Sequence, residues 1–225
     1  MRYNIFNQIH KALRTILFDT ATILQQTDFS NAEESSESVQ RLKEVIHYFE
    51  KHAYAEDNFV LPAIEEYEPS LVDLFEQEHV EDHELGEKMN ALLNQFDTAS
   101  TEHSRMEIGA AINSAFIEFL VFNLKHMAKE EEILNEVLWK YFSDAELHGI
   151  TQKIVAHNPP ELMAVLSKWM MRSLNNSEIT HWLKEVKENA PEVVFGQLVF
   201  AAEKELSTHR WLQVQESLTE GSLLA

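Results

Sequence analysis

The chain contains 225 residues, of which 18 are lysine or arginine, 38 are aspartate or glutamate, and none is cysteine. The resulting formal net charge of −20 argues against a nucleic-acid or anionic-membrane partner. Because cysteine is absent, disulfide scaffolds, zinc-thiolate sites, iron–sulfur clusters and thiol nucleophiles are excluded, and any metal must be bound by histidine and carboxylate side chains. Glycine and proline number only five each, which disfavours turn-rich β folds and glycine-rich phosphate loops.

The N-terminal stretch does not have the composition of a targeting signal. Polar and charged residues, among them Asn4, His10, Arg14 and Asp19, are spread through its apolar positions. A secretory signal or a membrane span requires an uninterrupted apolar run. No sufficiently long uncharged run occurs elsewhere, so we expect a soluble, cytoplasmic protein without a membrane partner.

Residues 1–142 show the period of amphipathic helices in four long segments separated by short polar stretches. The second segment follows a predicted capping box that begins at Ser30, and the third has Ser70 as its expected N-cap. Pro62 is expected to bend the second segment near its end. Four such segments predict an all-α fold, an antiparallel up-down four-helix bundle.

The remaining residues, 143–225, form shorter helical pieces separated by breaks that contain asparagine or proline. Three of the four tryptophans, Trp169, Trp182 and Trp211, lie in this part. These pieces are too apolar for a solvated linker, so we expect additional C-terminal helices packed on the bundle. The predicted domains are therefore 1–142, a bundle with a two-metal site, and 143–225, a helical extension.

Histidine and glutamate recur four residues apart, a spacing that puts both side chains on one face of a helix. In a chain this rich in glutamate most such pairs arise by chance. A ligand inside a bundle must also lie on the apolar stripe, where leucine or phenylalanine would otherwise stand. The pairs His52/Glu56 and His126/Glu130 meet this condition. A buried glutamate at either place would be costly unless it is paired or bound to a metal.

Three further histidines lie on the remaining stripes: His10 in the first segment, and His79 with His83 in the third. Jointly the four segments offer five imidazoles and two carboxylates. This set suits two iron ions, with the carboxylates as bridges and the imidazoles in terminal positions, and it leaves one position for a small diatomic ligand. Other divalent metals, including manganese, zinc and nickel, are also compatible. The ferritin-like alternative uses Glu-x-x-His pairs, which these stripes lack.

The stretches NQIHKALRTIL, HYFEKHAYAEDNFVLPAIE, EQEHVEDHELGEKM and FNLKHMAKEEEIL occur in this order along residues 1–142. In this ordered set the chain resembles the haemerythrin-like (HHE cation-binding) family. The resemblance implies two iron ions joined by an oxide or hydroxide bridge. Some members of the family use a single histidine in the third helix, and others bridge with a carboxylate five residues after the last histidine, which here is Glu131. By position the resemblance implies these metal ligands: His10, His52, Glu56, His79, His83, His126 and Glu130.

Three functional hypotheses follow from the residues and the resemblance. The first is a non-haem di-iron protein that binds or senses dioxygen or nitric oxide, or stores iron, without turning over an organic substrate. The second is a di-iron enzyme of oxidative or nitrosative stress, either a peroxidase or oxidase or a factor that repairs iron centres. The third is a regulatory module in which metal occupancy stiffens the bundle for an unknown protein partner. A homodimer is compatible with each.

Overall fold

The computed structural model describes residues 2–220, and all regular structure within them is helical. Two short π-helical turns interrupt the long helices, at Glu56–Val60 and at Glu130–Leu134. In chain order the α-helices are α1 (Asn7–Gln26), α2 (Ala32–Ala55), α3 (Leu61–Ile64), α4 (Pro69–Thr98), α5 (Glu102–Lys129), α6 (Asn135–Tyr141), α7 (Asp144–His157), α8 (Pro160–Ser173), α9 (Asn176–Asn189), α10 (Glu192–Glu205) and α11 (Thr208–Glu220).

The described chain divides into two compact units. The first comprises residues 2–6 and 16–156, and the second comprises residues 7–15 and 157–220. Helix α7 therefore lies in the first unit up to residue 156. The predicted division after residue 142, and the packing of C-terminal helices on a bundle, stay predictions.

The helix starts differ from two of the predicted caps. The N-cap of α2 is Asn31, whose side chain accepts hydrogen bonds from the backbone N–H groups of Glu33 and Glu34, and Ser30 lies before it. Helix α4 begins at Pro69, so Ser70 is its second residue rather than its cap. Proline suits this position because the first N–H of a helix has no intrahelical partner.

In the first unit, α4 and α5 pack along each other, and α2 also contacts α4. An apolar cluster lies beside the two π-helical turns and includes the last residue of each turn, Val60 and Leu134, together with residues of α4 and α7. The antiparallel up-down order of the long helices stays a prediction. The fully buried members of this cluster are Ile64, Phe75, Leu134, Leu138 and Leu147.

Both π-helical turns open with a glutamate. The turn Glu56–Val60 continues α2, and the turn Glu130–Leu134 continues α5. Each closes with a hydrogen bond between residues five positions apart, because the N–H groups of Leu61 and Asn135 donate to the carbonyl of the opening glutamate. Such wide turns are rare in proteins, and those that occur often lie at functional sites.

In the second unit, α10 packs on α8 and α9, and α11 packs on α9. A capping box opens α9, where the Asn175 side chain accepts from the N–H of Glu178 and the Glu178 carboxylate accepts from the N–H of Asn175. The same carboxylate accepts hydrogen bonds from Asn7 Nδ2 at 3.0 Å and from Lys11 Nζ at 2.5 Å. Glu178 thus joins residues 7–15 to α9.

Among the described residues, one continuous helical stretch, Glu102–Tyr141, is long and apolar enough to cross a membrane by length and composition alone. Core helices of soluble proteins pass the same test. This stretch contains Glu130 and His126, whose side chains are buried among protein groups. The expected absence of a membrane span stays a prediction.

Candidate metal centre

Four buried side chains of the first unit bring their potential ligand atoms together. One atom each from Glu56, His79, His126 and Glu130 lies within 4.8 Å of the others. A second group within the same distance contains His52 with the same two glutamates. Both carboxylates therefore belong to both groups, which is the arrangement that a carboxylate needs to bridge two ions.

The same four-residue spacing of histidine and glutamate positions these side chains in two places. His52 in the last turn of α2 precedes Glu56 by four residues, and its Nε2 lies 3.2 Å from Glu56 Oε1. In the same way, His126 Nε2 at the end of α5 lies 3.4 Å from Glu130 Oε1. His79 of α4 completes the cluster, with Nε2 3.4 Å from Glu56 Oε2.

A second layer of carboxylates contacts the outer nitrogens of two of these imidazoles. Asp57 Oδ1 lies 2.5 Å from His79 Nδ1, and Glu78 Oε2 lies 2.8 Å from His126 Nδ1. Lys129 of α5 donates to the other oxygen of Glu78. Neither Asp57 nor Glu78 was predicted, because single acidic residues beside a ligand look like ordinary solvated positions.

The carboxylates of the cluster stabilise positive charge on or beside its imidazole rings. Burial lowers the pKa of His79, but hydrogen bonds to Asp57 and Glu56 outweigh this effect and raise it to about 10. Burial likewise lowers the pKa of His126, and the Glu130 carboxylate beside it raises it to about 9. A proton or a metal cation is thus stabilised at these ring nitrogens.

Aromatic rings enclose His126. Phe75 meets its ring edge to face with centroids 5.8 Å apart, and Phe122 stacks on it at 5.9 Å. The His79 ring lies against it as well, with centroids 4.9 Å apart. This apolar wall fixes the ring plane and excludes water, so charges in the cluster interact more strongly than they would at the surface.

The structure does not bring His83 to the cluster, although the sequence reasoning placed it there. Its side chain is 62% exposed and lies 3.6 Å from the exposed Glu87. Asp82 is the residue of α4 that points inward, and it accepts a hydrogen bond of 2.6 Å from Asn123 Nδ2. Burial raises the pKa of Asp82 above its ordinary value. The interior side chains of α4 follow alternating steps of three and four, and from His79 the step of three selects Asp82.

The remaining predicted ligands are His10 and the bridging glutamate that follows His126. His10 belongs to the segment 7–15 of the second unit, where its side chain is fully buried, and its role as a ligand stays a prediction. Of the two candidate bridges after His126, Glu130 is fully buried and belongs to both ligand groups, whereas Glu131 belongs to neither.

The residues present fit a pair of metal ions. The donor set consists of imidazole nitrogens and carboxylate oxygens only, which suits iron, manganese or zinc. Each of the three imidazoles directs Nε2 toward a carboxylate at 3.2 to 3.4 Å. A cation placed between an imidazole nitrogen and a carboxylate oxygen would replace the long contact between these two atoms by two shorter bonds, one to each atom.

The comparison with known families agrees with this geometry. The model of the Hemerythrin HHE cation binding domain matches residues 1–138, more than half of the chain. The chain belongs to this family. The match covers α1 to α5, both π-helical turns and most of α6, and it therefore includes every candidate ligand.

Curated relatives of this HHE chain carry the name F-box/LRR-repeat protein 5. The mouse protein (Mus musculus) is 20% identical over 195 residues, which cover 84% of this chain and 28% of the relative. The orangutan protein (Pongo abelii) is 22% identical over 151 residues, which cover 65% of this chain and 21% of the relative. The chain thus spans about a quarter of the length of these relatives.

Proposed function

We propose that this HHE protein is a non-haem di-iron protein that binds or senses dioxygen or nitric oxide, or stores iron. The observation that carries the proposal is that Glu56 and Glu130 each belong to both ligand groups. In the proposed centre these carboxylates bridge the ions, while His52, His79 and His126 hold terminal positions. His10 is the further terminal ligand that the family resemblance implies.

Iron is the metal that the family resemblance implies, and the donor set is compatible with it. Imidazole and carboxylate ligands suit iron, manganese and zinc alike, whereas the thiolates that would favour copper(I) are absent from the sequence. When bound, the metal pair supplies reversible coordination of a small diatomic molecule. The protein contributes the buried pocket, the fixed imidazoles and the two anionic bridges, which offset half of the charge of two ferrous ions.

We also propose that α1, α2, α4 and α5 form the antiparallel up-down bundle that holds this centre. The short loop between α4 and α5, residues 99–101, favours antiparallel neighbours, and these two helices pack side by side. Each of α2 and α5 then contributes a histidine followed four residues later by a glutamate. The proposed centre lies between the helices, where bundle proteins build metal sites.

Metal content is the measurement that tests the proposal. The protein is purified without a metal-affinity step, and its metals are counted per chain by plasma mass spectrometry beside an absorption spectrum. We expect two irons per chain and charge-transfer absorption that changes on addition of dioxygen or nitric oxide. A chain that takes up no metal even after anaerobic ferrous loading would rule the proposal out.

The length of the relatives favours a second candidate, a metal-dependent regulatory module. The matched region is a minor part of longer proteins whose name includes an F-box and LRR repeats, so a segment similar to this chain occurs in proteins that contain further parts. In this reading, metal binding stabilises the domain and presents a surface to an unknown partner or to a second copy of the chain. Equal stability and equal assembly state with and without metal would argue against it.

A further inference from the structure

Each of two ligand imidazoles lies between an inner and an outer carboxylate. The His79 ring has Glu56 at Nε2, 3.4 Å away, and Asp57 at Nδ1, 2.5 Å away. The His126 ring has Glu130 at Nε2, 3.4 Å away, and Glu78 at Nδ1, 2.8 Å away. In both rings the outer contact is the shorter one and lies within hydrogen-bond distance.

The chemistry of imidazole decides what such a contact does. A neutral ring carries one N–H group, and an ionised carboxylate can only accept a hydrogen bond. In the neutral ring the outer carboxylate therefore holds the proton on Nδ1, so that Nε2, which faces Glu56 or Glu130, is the nitrogen that gives up its proton to a metal ion. A metal ligand so held is oriented before the ion arrives and is more basic than a free imidazole.

The sequence positions of Asp57 and Glu78 explain how these two carboxylates come to contact the imidazoles of His79 and His126. Asp57 directly follows one ligand, and Glu78 directly precedes another. Neighbouring residues in a helix differ by about 100° in direction, so an acid next to an interior ligand stands at the edge of the interior stripe. From that edge, Glu78 of α4 crosses to His126 of α5, and Asp57 crosses from the first π-helical turn to α4. Each contact joins two helical segments.

We propose that Asp57 and Glu78 are positioning residues that fix the Nδ1–H tautomer of His79 and His126 and so direct Nε2 toward the metal ions. This inference rests on the proposed metal function of the cluster. The two acids differ in exposure: the Glu78 side chain is 12% exposed and Lys129 holds it, whereas Asp57 is 40% exposed. The contribution of Glu78 is therefore the larger of the two.

The test compares Zn²⁺ affinity between variants of the full chain, measured by competition with a chelator. Removal of a partner that orients a metal-binding histidine costs about 10- to 100-fold in affinity, so we expect losses in this range for Glu78→Ala and smaller ones for Asp57→Ala. The amide variants Glu78→Gln and Asp57→Asn keep an accepting oxygen and should lose less. Glu87→Ala is the matched control, because it removes a carboxylate from the exposed His83.

A second readout separates positioning from general destabilisation. Long-range ¹H–¹⁵N spectra of the Zn²⁺-loaded protein identify which ring nitrogen carries the proton. The wild type and both amide variants should show a slowly exchanging Nδ1–H in His79 and His126, and each alanine variant should lose this resonance to exchange with water at its own histidine alone.

Alanine variants with wild-type Zn²⁺ affinity and unchanged ring spectra would overturn the inference while leaving the metal centre intact. A wild-type chain that binds no Zn²⁺ and no Fe²⁺ would instead overturn the proposed function and this inference together. If an alanine variant does not fold, the Zn²⁺ affinity of the amide variant at the same position decides: a loss greater than that of Glu87→Ala supports the inference, and no loss overturns it.

Discussion

Gly109 of α5 lies directly against the Phe29 ring: a Cβ atom built on Gly109 would stand 2.2 Å from Phe29 Cγ. No side chain fits there without moving the ring, which itself packs edge to face on Phe96 with centroids 5.7 Å apart. Glycine is therefore required by packing at this point, where α5 passes the loop between α1 and α2.

Gly109→Ala should destabilise the first unit by about 1–3 kcal/mol, the usual cost of forcing extra volume into a packed interior. Urea denaturation followed by circular dichroism measures the loss. Gly149→Ala in α7 is the matched control, because a Cβ there meets nothing within 4 Å. In a helix interior that substitution should be neutral or stabilise by about 0.5–1 kcal/mol. Equal effects of the two variants would contradict the packing argument.

Glu130→Gln should reduce metal content at both positions of the proposed centre, because its carboxylate belongs to both ligand groups. The amide keeps the volume but has lost the negative charge that a bridge supplies. Metal counting after ferrous loading measures the effect. Glu131→Gln serves as the control and should retain the full metal content; a loss in Glu131→Gln and none in Glu130→Gln would transfer the bridging role to Glu131.

His79→Ala and His83→Ala form a second decisive pair. His79 is buried in the cluster, whereas His83 is exposed, so only His79→Ala should lower metal content and change the absorption spectrum. A thermal melt of each variant with chelator shows whether the metal-free proteins are folded. Loss of metal in His83→Ala would mean that α4 turns its other face inward in the loaded protein.

Removal of metal should lower the melting temperature, because ions that bind only the folded chain add their binding free energy to its stability. With free metal at a hundred times the dissociation constant the contribution is about 2.7 kcal/mol, which corresponds to about 5–10 °C for a chain of this size. Differential scanning calorimetry with and without chelator checks this. Identical melting curves for metal-loaded and stripped protein would count against the centre.

Glu178 should make the stability of the second unit depend on acid pH. Burial alone would raise the pKa of Glu178, but hydrogen bonds from Lys11, Asn175 and Asn7 lower it below 4.5. Because the folded value is the lower one, this stabilisation is present above pH 4.5 and is lost as the pH falls through the folded pKa.

The variant Glu178→Gln tests that dependence. Glutamine can still serve in the capping box, so the variant removes mainly the charge that faces Lys11. The stability difference from wild type, measured by denaturation, should be largest near pH 6 and should vanish in strong acid. Glu188→Gln, in the exposed last turn of the same helix, is the control. A difference for Glu178→Gln that does not change with pH would refute the electrostatic explanation.

The ligand pairs could be predicted from the sequence because a glutamate on an apolar stripe is costly without a counter-charge. That argument selected Glu56 and Glu130 correctly as buried residues. It could not choose between Asp82 and His83, since both lie within one turn of His79 and the apolar neighbours on α4 allow either. Helical periodicity also gives no information about Asp57 and Glu78, whose contacts depend on how neighbouring helices approach.

The π-helical turns were missed for a related reason, although a trace of them is present in the sequence. Beyond His52 the buried residues include Glu56, Val60 and Ile64, which follow one another in three successive steps of four. In an α-helix each step of four turns the side chain by about 40°, so three steps would carry the last one far out of the core. The wide turn absorbs this drift.

A π-helical turn is an α-helical turn that contains one additional residue. It therefore determines where the chain tolerates the deletion of a residue. Deleting one residue between Glu56 and Leu61 would restore an ordinary helix and would leave His52 and Glu56 in place. Because the wide turn already absorbs the extra residue, the side chains beyond the deletion would keep their directions, and Val60 and Ile64 would follow Glu56 in steps of three and four on the core face. A one-residue deletion within this turn should therefore be tolerated better than one in the middle of α2, where it would rotate every following side chain by about 100°, and the same holds for the turn after Glu130.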